Sequence, residues 1–382
     1  MAQVPIKVPF CKPDYAVNET GHLNAAIAEG RLEGGGRFTR ASEAFLETML
    51  GAKAALVVPS CTAALEMMGL VLDLKPGDEV IMPSFTFVST ANAMALRGAV
   101  PVFVDIDPNT LNIDPVAAEA AIGPRTRAIM LVHYAGVGCD MDAFEALSRK
   151  HDLVLLEDAA QALEASWNGR PLGSFGTYAA ISFHHTKNVS CGEGGAFISN
   201  HGGDARLAEF VRDKGTNRAD FLRGTESKYE WLSLGSSYLL SELAGAVLLG
   251  QLERSGDLLA KRLRLWARYQ EAFAGRDDVI VPRIPPSAGH NAHIFHLRLC
   301  DREARDGFCQ AMRERGVVAS PHYVPLHLTP AGRQLGRAVG CMDITVRTTE
   351  TLVRLPLFSA MTDSQQAFVI ETALALLDGG RG

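Results

Sequence analysis

A lysine that follows a short apolar run has the most distinctive chemistry in this sequence. Lys187 comes shortly after residues 179–183, where the end of a strand could hold it in a buried pocket. Burial lowers the proton affinity of a lysine, and the neutral amine can then attack an aldehyde. A lysine taken alone is most often a solvated surface group, so this interpretation depends on its neighbours.

A carboxylate precedes this lysine by about one strand-loop-strand excursion. Asp158 ends the apolar run 153–158, and such strand ends line the ligand crevice of open α/β sheets. An acid and an amine placed there suit pyridoxal phosphate (PLP), whose ring nitrogen needs a negative partner to stay protonated. Two unit charges about 4 Å apart attract by about 4 kcal/mol at a protein-like dielectric constant. The alternative is that Asp158 only caps a following helix.

A segment further upstream could hold a phosphate group. Residues 54–65 pass from an apolar run through small polar residues into an Ala/Leu/Met-rich helix, and backbone N–H groups at a helix start bind anions. Ser60 or Thr62 could instead serve only as an N-cap. No Gly-x-Gly-x-x-Gly occurs between a strand and a helix, which excludes the usual dinucleotide site. Phosphate cradle, acid and lysine, in this order, favour a PLP enzyme.

Five motifs carry a resemblance to a known family. They are residues 59–65 (Pro-Ser-Cys-Thr-Ala-Ala-Leu), 83–93 (Pro-Ser-Phe-Thr-Phe-Val-Ser-Thr-Ala-Asn-Ala), 132–136 (Val-His-Tyr-Ala-Gly), 157–161 (Glu-Asp-Ala-Ala-Gln) and 182–188 (Ser-Phe-His-His-Thr-Lys-Asn). With them the chain resembles the DegT/DnrJ/EryC1/StrS sugar aminotransferases, from about Val8 to residues 355–358. The resemblance implies a PLP-dependent fold of the aspartate aminotransferase type (fold type I) and a homodimer.

The resemblance also implies roles for individual residues. Lys187 would form the Schiff base with the cofactor, Asp158 would pair with the ring nitrogen, and Gln161 would contact the ring hydroxyl. Phe87 would stack on the ring, with Phe85 close enough to compete. The phosphate would be held by a further set of residues, namely Cys61, Thr62, Ala63 and Ser182.

Two departures from the family pattern refine this expectation. Many relatives have Asn-Tyr-Arg after a glycine and contribute it across the dimer interface, whereas residues 235–239 here are Gly-Ser-Ser-Tyr-Leu. Ser237 therefore replaces the phosphate-contacting Asn, and Asn217 is considered as the replacement donor. A related dehydratase branch has His in place of the lysine, so Lys187 argues against dehydration. His184 is then expected to be a pocket residue, with His185 as its neighbour.

Substrate contacts are expected from two further segments. Residues 322–327 resemble the family segment that closes over the sugar, which makes Tyr323 and His327 candidates, although lone residues of these types are more often structural. Phe38 follows the glycine triplet 34–36, which could let the backbone approach a ligand but is more often a flexible turn.

The closest resemblance is to a branch that aminates a dTDP-linked sugar. It implies transfer of an amino group from L-glutamate to C4 of dTDP-4-dehydro-6-deoxy-D-glucose, giving dTDP-4-amino-4,6-dideoxy-D-galactose for enterobacterial common antigen. The gluco epimer and a UDP-linked keto sugar remain alternatives, because the residues alone do not determine which face of C4 receives hydrogen. An O-antigen or antibiotic-sugar pathway also stays open. From another class, the alternative is a PLP-binding regulator without turnover.

Composition agrees with a large two-domain enzyme. The 382 residues are 47% hydrophobic and 21% charged, which allows substantial cores. A net charge of −6 disfavours nucleic-acid binding. Seven scattered cysteines show neither a disulfide framework nor the spacing of a metal site, so no metal is expected. Without a signal peptide pattern or an uninterrupted apolar stretch, we expect a cytoplasmic protein.

Short apolar runs alternate with helical patterns up to about residue 200. They are residues 54–58, 79–82, 100–105, 128–133, 153–158, 179–183 and 196–199. This pattern predicts an α/β fold with a mainly parallel seven-stranded sheet covered on both faces, within a large PLP-binding domain of residues 1–255.

A smaller α/β domain is predicted for residues 256–382. It would contain a connecting helix at 258–273, strands at 293–299 and 317–323, a helix at 303–315, and a last helix that starts at Thr362 with Gln365 placed for a capping box. The connecting helix is expected to expose a solvated basic face formed by Lys261, Arg262, Arg264 and Arg268.

Overall fold

The computed structural model of the protein describes residues 5–379, which form an α/β fold. Fourteen strands are present in this range: β1 Ala54–Val58, β2 Glu79–Pro83, β3 Val100–Val104, β4 Thr126–Val132, β5 Val154–Asp158, β6 Ser166–Trp167, β7 Arg170–Pro171, β8 Tyr178–Ser182, β9 Gly195–Ser199, β10 Ala288–Gly289, β11 Phe295–Arg298, β12 Ser320–Pro321, β13 Arg337–Ala338 and β14 Leu352–Leu355.

Fourteen α-helices accompany these strands in the described part of the chain. They are α1 Val17–Glu29, α2 Arg37–Leu50, α3 Cys61–Val71, α4 Val88–Ala95, α5 Pro115–Ala120, α6 Met141–His151, α7 Ala205–Arg212, α8 Arg218–Arg223, α9 Glu242–Glu253, α10 Ser255–Phe273, α11 Arg302–Glu314, α12 Pro330–Leu335, α13 Asp343–Thr351 and α14 Asp363–Gly379.

The large sheet has the strand order β1-β9-β8-β5-β4-β2-β3-β13. Strands β8, β5, β4, β2, β3 and β13 run parallel, and β9 is antiparallel to both of its neighbours. All seven predicted strands are present. The predicted count of seven misses β13, because this two-residue strand is too short to appear as an apolar run. It joins the edge beside β3, where Arg337 Nη2 lies 2.7 Å from Glu79 Oε2.

Both faces of this sheet are buried. Val57 and Ile81 belong to one hydrophobic cluster, whereas Leu56 and Val80, their neighbours along the strands, belong to another. Because successive strand residues point to opposite faces, fully apolar strands need a covering layer on each side. The apolar runs therefore predicted the layered architecture correctly.

The C-terminal half contains a second, three-stranded antiparallel sheet in the order β11-β14-β12. Its core also includes residues from α10, α11 and α14, together with Val8, which pairs with Val317. Of the predicted strand 317–323, only Ser320–Pro321 forms a strand in the structure. The division at residue 255 stays a prediction.

In the described range no helix is long and apolar enough to span a bilayer.

Two details of the helices test the sequence interpretation. The capping box is confirmed, since Thr362 N donates to Gln365 Oε1 at 3.0 Å and Gln365 N donates to Thr362 Oγ1 at 3.2 Å. The basic face of α10 was predicted wrongly at Arg262, which is buried. Its guanidinium donates to the carbonyl oxygens of Ala292 and His293 at 3.1 and 2.8 Å, so backbone acceptors compensate its burial.

Candidate active site

A cavity of about 570 Å³ lies at the carboxyl ends of β4, β5 and β8, with β14 contributing one wall. Parallel strands end at the same edge of a sheet, which brings residues that are distant in sequence together there. Nine of the predicted site residues line this cavity: Cys61, Thr62, Phe87, Asp158, Gln161, Ser182, His184, Lys187 and Tyr323.

The amine of Lys187 is available for chemistry within this cavity. Among residues 5–379, no group forms a hydrogen bond or an ion pair with its Nζ. Burial lowers the pKa of Lys187 below its ordinary value, although Cys61 and Asp158 act in the opposite direction. The neutral amine, which is the nucleophilic form, is therefore favoured more than in a solvated lysine.

The carboxylate of Asp158 is held rigidly at the end of β5. Its Oδ2 accepts a 2.7 Å hydrogen bond from Thr90 Oγ1, and its Oδ1 accepts one of 3.2 Å from Ala160 N. Burial raises the pKa of this carboxyl, so the ionised form lacks a sufficient positive partner. A protonated ring nitrogen would supply one. The helix-cap alternative is not met, because the next regular element in the described chain is strand β6.

The start of α3 offers free N–H groups to the cavity. Ser60 is the N-cap, and it satisfies Ala63 N through its Oγ at 3.1 Å and Ala64 N through its carbonyl oxygen at 3.2 Å. The N–H groups of Cys61 and Thr62 have no protein acceptor within residues 5–379. Two unsatisfied donors at a helix N-terminus fit a phosphate group. Ala63, whose N–H is used, is outside the cavity lining.

A glycine keeps this helix start close to the sheet. A Cβ atom on Gly195, the first residue of β9, would lie 2.5 Å from Cys61 N and 2.5 Å from the carbonyl carbon of Ser60. Such a contact is shorter than van der Waals separation. The absence of a side chain at residue 195 therefore shapes the cradle.

Aromatic residues form another wall. Phe87 is 56% exposed and lines the cavity, whereas Phe85 is buried with its ring centroid 5.0 Å from that of Tyr134. Gln161 Oε1 accepts from Ala135 N at 2.7 Å, and its Nε2 donates to the Tyr323 hydroxyl at 3.0 Å. Gln161 thus links the large sheet to the C-terminal half.

Two polar residues complete the part of the wall near the lysine. Ser182, at the end of β8, has its Oγ 3.4 Å from His184 N, which donates to it. His184 Nδ1 lies 2.9 Å from Thr186 Oγ1, and burial lowers the pKa of the imidazole. A neutral imidazole beside Lys187 adds no further positive charge to the pocket.

Four other predicted residues do not line the cavity of this chain. Phe38 is buried in a small cluster with Ala26 and Ala246. Asn217 uses its side chain on Lys228 O and Glu230 N. Ser237 is exposed and pairs with Asp213, and His327 Nδ1 lies 2.6 Å from Ser84 Oγ. Their roles in binding stay predictions.

Sequence reasoning missed several residues that the structure brings to the site. Thr90 lies inside the motif 83–93, but nothing in its type signalled a bond to Asp158. Gly195 is one glycine among 36, so only its close packing distinguishes it. Arg354 directly precedes residues 355–358 and lines the cavity, but a lone arginine in a strand carries no motif.

Comparisons with known proteins show the family of the chain. A family profile described as the DegT/DnrJ/EryC1/StrS aminotransferase family matches residues 13–374. The chain belongs to this family. The spore coat polysaccharide biosynthesis protein SpsC of Bacillus subtilis is 35% identical over 97% of both chains. The protein described here is therefore a PLP-dependent sugar aminotransferase, and its cofactor is pyridoxal 5'-phosphate, which Lys187, Asp158 and the free N–H groups fit.

Solved structures show the same fold. The aminotransferase TlmJ from Streptoalloteichus hindustanus has a TM-score of 0.90 at 30% identity and matches 99% of this chain and 100% of its own. Spr1654 from Streptococcus pneumoniae, in its PMP form, has a TM-score of 0.91 at 26% identity, with 98% and 100% of the two chains covered. The predicted aspartate aminotransferase-like architecture is therefore confirmed.

Proposed function

We propose that this aminotransferase moves an amino group from L-glutamate to C4 of dTDP-4-dehydro-6-deoxy-D-glucose and produces dTDP-4-amino-4,6-dideoxy-D-galactose. The observation that carries the proposal is the meeting of Lys187, Asp158 and the free N–H groups of Cys61 and Thr62 in one cavity of about 570 Å³. The similarity to SpsC, a polysaccharide biosynthesis protein, supports a sugar as the amino acceptor.

The residues of this chain divide the work of holding the cofactor. The N–H groups of Cys61 and Thr62, assisted by Ser182, would bind its phosphate, and Phe87 would contact its ring. Asp158, oriented by Thr90, would keep the ring nitrogen protonated. When bound, PLP supplies an aldehyde that accepts an amino group and a ring that withdraws electrons from the reacting carbon.

Lys187 carries the proton in both halves of the reaction. Its Nζ would hold the aldehyde of the cofactor covalently between turnovers. As a free amine it would act as general base and general acid, taking a proton from one carbon atom and returning it to another. The lowered pKa suits this role, because a fully protonated lysine could not accept the proton.

The galacto configuration requires hydrogen to reach C4 from one face of the sugar. Tyr323, which follows β12, and His184, which follows β8, both line the cavity, and we propose that they orient the sugar. We propose a homodimer in which the exposed Ser237 of a second copy faces the cavity. Phe38 and Asn217 are buried in their own chain, so they would act only by supporting the segments around them.

A single-turnover experiment tests this function. The pyridoxamine form is mixed with dTDP-4-dehydro-6-deoxy-D-glucose, and the product is identified by NMR. An axial C4 amine made by the wild type, and lost by about 100-fold or more in Lys187→Ala, is expected. An equatorial amine would move the enzyme to the gluco alternative. No amination of this sugar, with turnover of a UDP-linked keto sugar, would reject the proposed substrate.

A further inference from the structure

Arg354 is a cation on the cavity wall that has no acidic partner among residues 5–379. It belongs to β14 and lines the same cavity as Lys187. Its Nη2 donates to Ser320 Oγ at 3.2 Å and to Pro321 O at 3.1 Å, and its guanidinium lies 4.6 Å from the ring centroid of Phe10. Its Nε is buried and makes no hydrogen bond within residues 5–379.

Charges in the surrounding cavity do not balance this guanidinium. Within residues 5–379 no carboxylate lies within ion-pair distance of Arg354. The acidic residues that line the cavity are Asp158, whose oxygens already accept from Thr90 and Ala160, and Glu193, which lies 3.7 Å from His184 Nε2. Burial lowers the pKa of Arg354, although the nearby Tyr134 and Tyr323 act in the opposite direction. Buried charges are normally paired, so this wall can receive an anion.

The anion must be one that the reaction brings to this part of the cavity. The cofactor phosphate has its own site at the start of α3, on the large sheet. The amino donor must place its nitrogen where Lys187 Nζ lies, and its α-carboxylate is attached to the carbon that bears this nitrogen. Arg354 is close enough to Lys187 to lower the pKa of that lysine. A planar guanidinium also matches a planar carboxylate.

We propose that Arg354 binds a carboxylate of the amino donor and so makes this enzyme selective for amino acids over simple amines. This inference rests on the proposed function only in taking L-glutamate as the donor. Cation–π packing on Phe10 and the bonds to Ser320 and Pro321 hold the guanidinium in place. Arg354 is thus a specificity residue for the first half of the reaction.

The two halves of transamination can be measured separately, which makes the test sharp. L-glutamate is titrated into the PLP form of Arg354→Met, and the loss of the absorbance band of the lysine-bound cofactor is followed. Removal of a charged hydrogen-bond partner is expected to raise the half-saturating glutamate concentration by about tenfold or more. Arg354→Lys should recover part of this loss. The second half, from the pyridoxamine form and the keto sugar, should keep its half-saturation constant.

Arg298→Met is the matched control. Arg298 is also a half-buried arginine of the same small sheet with an unpartnered Nε, but it does not line the cavity. It should leave both halves unchanged. Calorimetric titration of glutarate into the PLP form should show the same loss of affinity for Arg354→Met, independently of turnover. L-alanine and 4-aminobutyrate, which each retain one of the two carboxylates, identify the one that is bound.

An unchanged glutamate titration in a folded Arg354→Met, with the band of the lysine-bound cofactor intact, would overturn the inference. A defect confined to the keto-sugar half would also overturn it, and would assign Arg354 to the nucleotide diphosphate. The first half contains no sugar. Failure of the proposed sugar substrate would therefore leave this test intact.

Discussion

Thr90 Oγ1 donates a 2.7 Å hydrogen bond to Asp158 Oδ2, and both side chains are buried. Thr90 lies in α4 and Asp158 ends β5, so the bond joins a helix to the strand end that carries the acid. Thr86 Oγ1 lies 2.9 Å from Thr90 Oγ1 and extends this network. The carboxylate is therefore oriented before any cofactor arrives.

Thr90→Val should weaken cofactor binding without changing the fold. The substitution keeps the shape but removes a hydrogen bond to a carboxylate, worth about 1.5–3 kcal/mol, which is roughly a tenfold or larger rise in the Kd for PLP. Absorbance titration of the cofactor-free enzyme measures it. Thr372→Val is the control, because in the described part of the chain the buried Thr372 hydroxyl bonds only to Phe368 O of its own helix. Equal affinities for both variants would contradict a role for Thr90 in orienting Asp158.

Gly195→Ala should damage the phosphate cradle. The added Cβ would lie 2.5 Å from Cys61 N, so the start of α3 must move away from β9 and from the position that holds the phosphate. We expect the Kd for PLP to rise by about tenfold, from the loss of about 1.4 kcal/mol. Gly203→Ala is the matched control, since its Cβ would meet nothing within 4 Å. If Gly195→Ala binds PLP as tightly as Gly203→Ala, the cradle lies elsewhere.

Asp158→Asn and Lys187→Met should stabilise the cofactor-free protein while they abolish activity. Burial raises the pKa of Asp158 and lowers that of Lys187, so each ionised form costs stability at neutral pH. Removal of either charge should raise the melting temperature by about 1–3 °C. Calorimetry without PLP measures it, with exposed Lys150→Met as the control. Lower melting temperatures for both variants would show that these charges stabilise one another more than burial opposes them.

Glu157 should stabilise the folded protein, because its carboxylate faces four hydrogen-bond donors. Its carboxylate accepts from the backbone N–H groups of Gly173, Phe175 and Gly176 at 2.6–2.8 Å, and its Oε2 lies 2.9 Å from His133 Nε2. His133 Nδ1 accepts from Cys139 N, so Nε2 carries the proton that bonds to Glu157. In Glu157→Gln the amide NH₂ must face two donors, which should lower the free energy of unfolding by about 2–5 kcal/mol at pH 7.

The difference in unfolding free energy between the wild type and Glu157→Gln should shrink as the pH falls. Burial alone would raise the pKa of Glu157, but the hydrogen bonds from His133, Gly176 and Gly173 outweigh it and lower the pKa below 4.5. The stability it contributes is therefore complete above pH 4.5 and is lost as the pH falls through the folded-state pKa. Urea denaturation at several pH values measures the difference. A difference between wild type and Glu157→Gln that grows below pH 4.5 would contradict this assignment.

The amino-acid sequence by itself determined the layers of the fold and the chemistry of its centre. Seven apolar runs specified seven strands, because strands buried on both faces need apolar residues at every position. The sequence also identifies three parts of the site: the helix start after Ser60, the acid Asp158 and the amine Lys187. Each lies at or just after the end of an apolar run, and each has a side chain or backbone group that suits PLP. The capping box at Thr362 was predicted because its partner is only three residues away.

Only the tertiary structure decided which residues share the cavity. Thr90 reaches Asp158 across 68 positions, and Arg354 reaches the wall from β14, so neither contact leaves a local pattern in the sequence. Helical periodicity predicts a solvated Arg262, because it shows the charge but not the backbone carbonyls of Ala292 and His293 that compensate its burial. Local preferences act over a few residues, whereas a cavity is formed by segments that the fold brings together. Packing therefore set the bond that orients the acid, the glycine contact that shapes the cradle, and the arginine on the cavity wall.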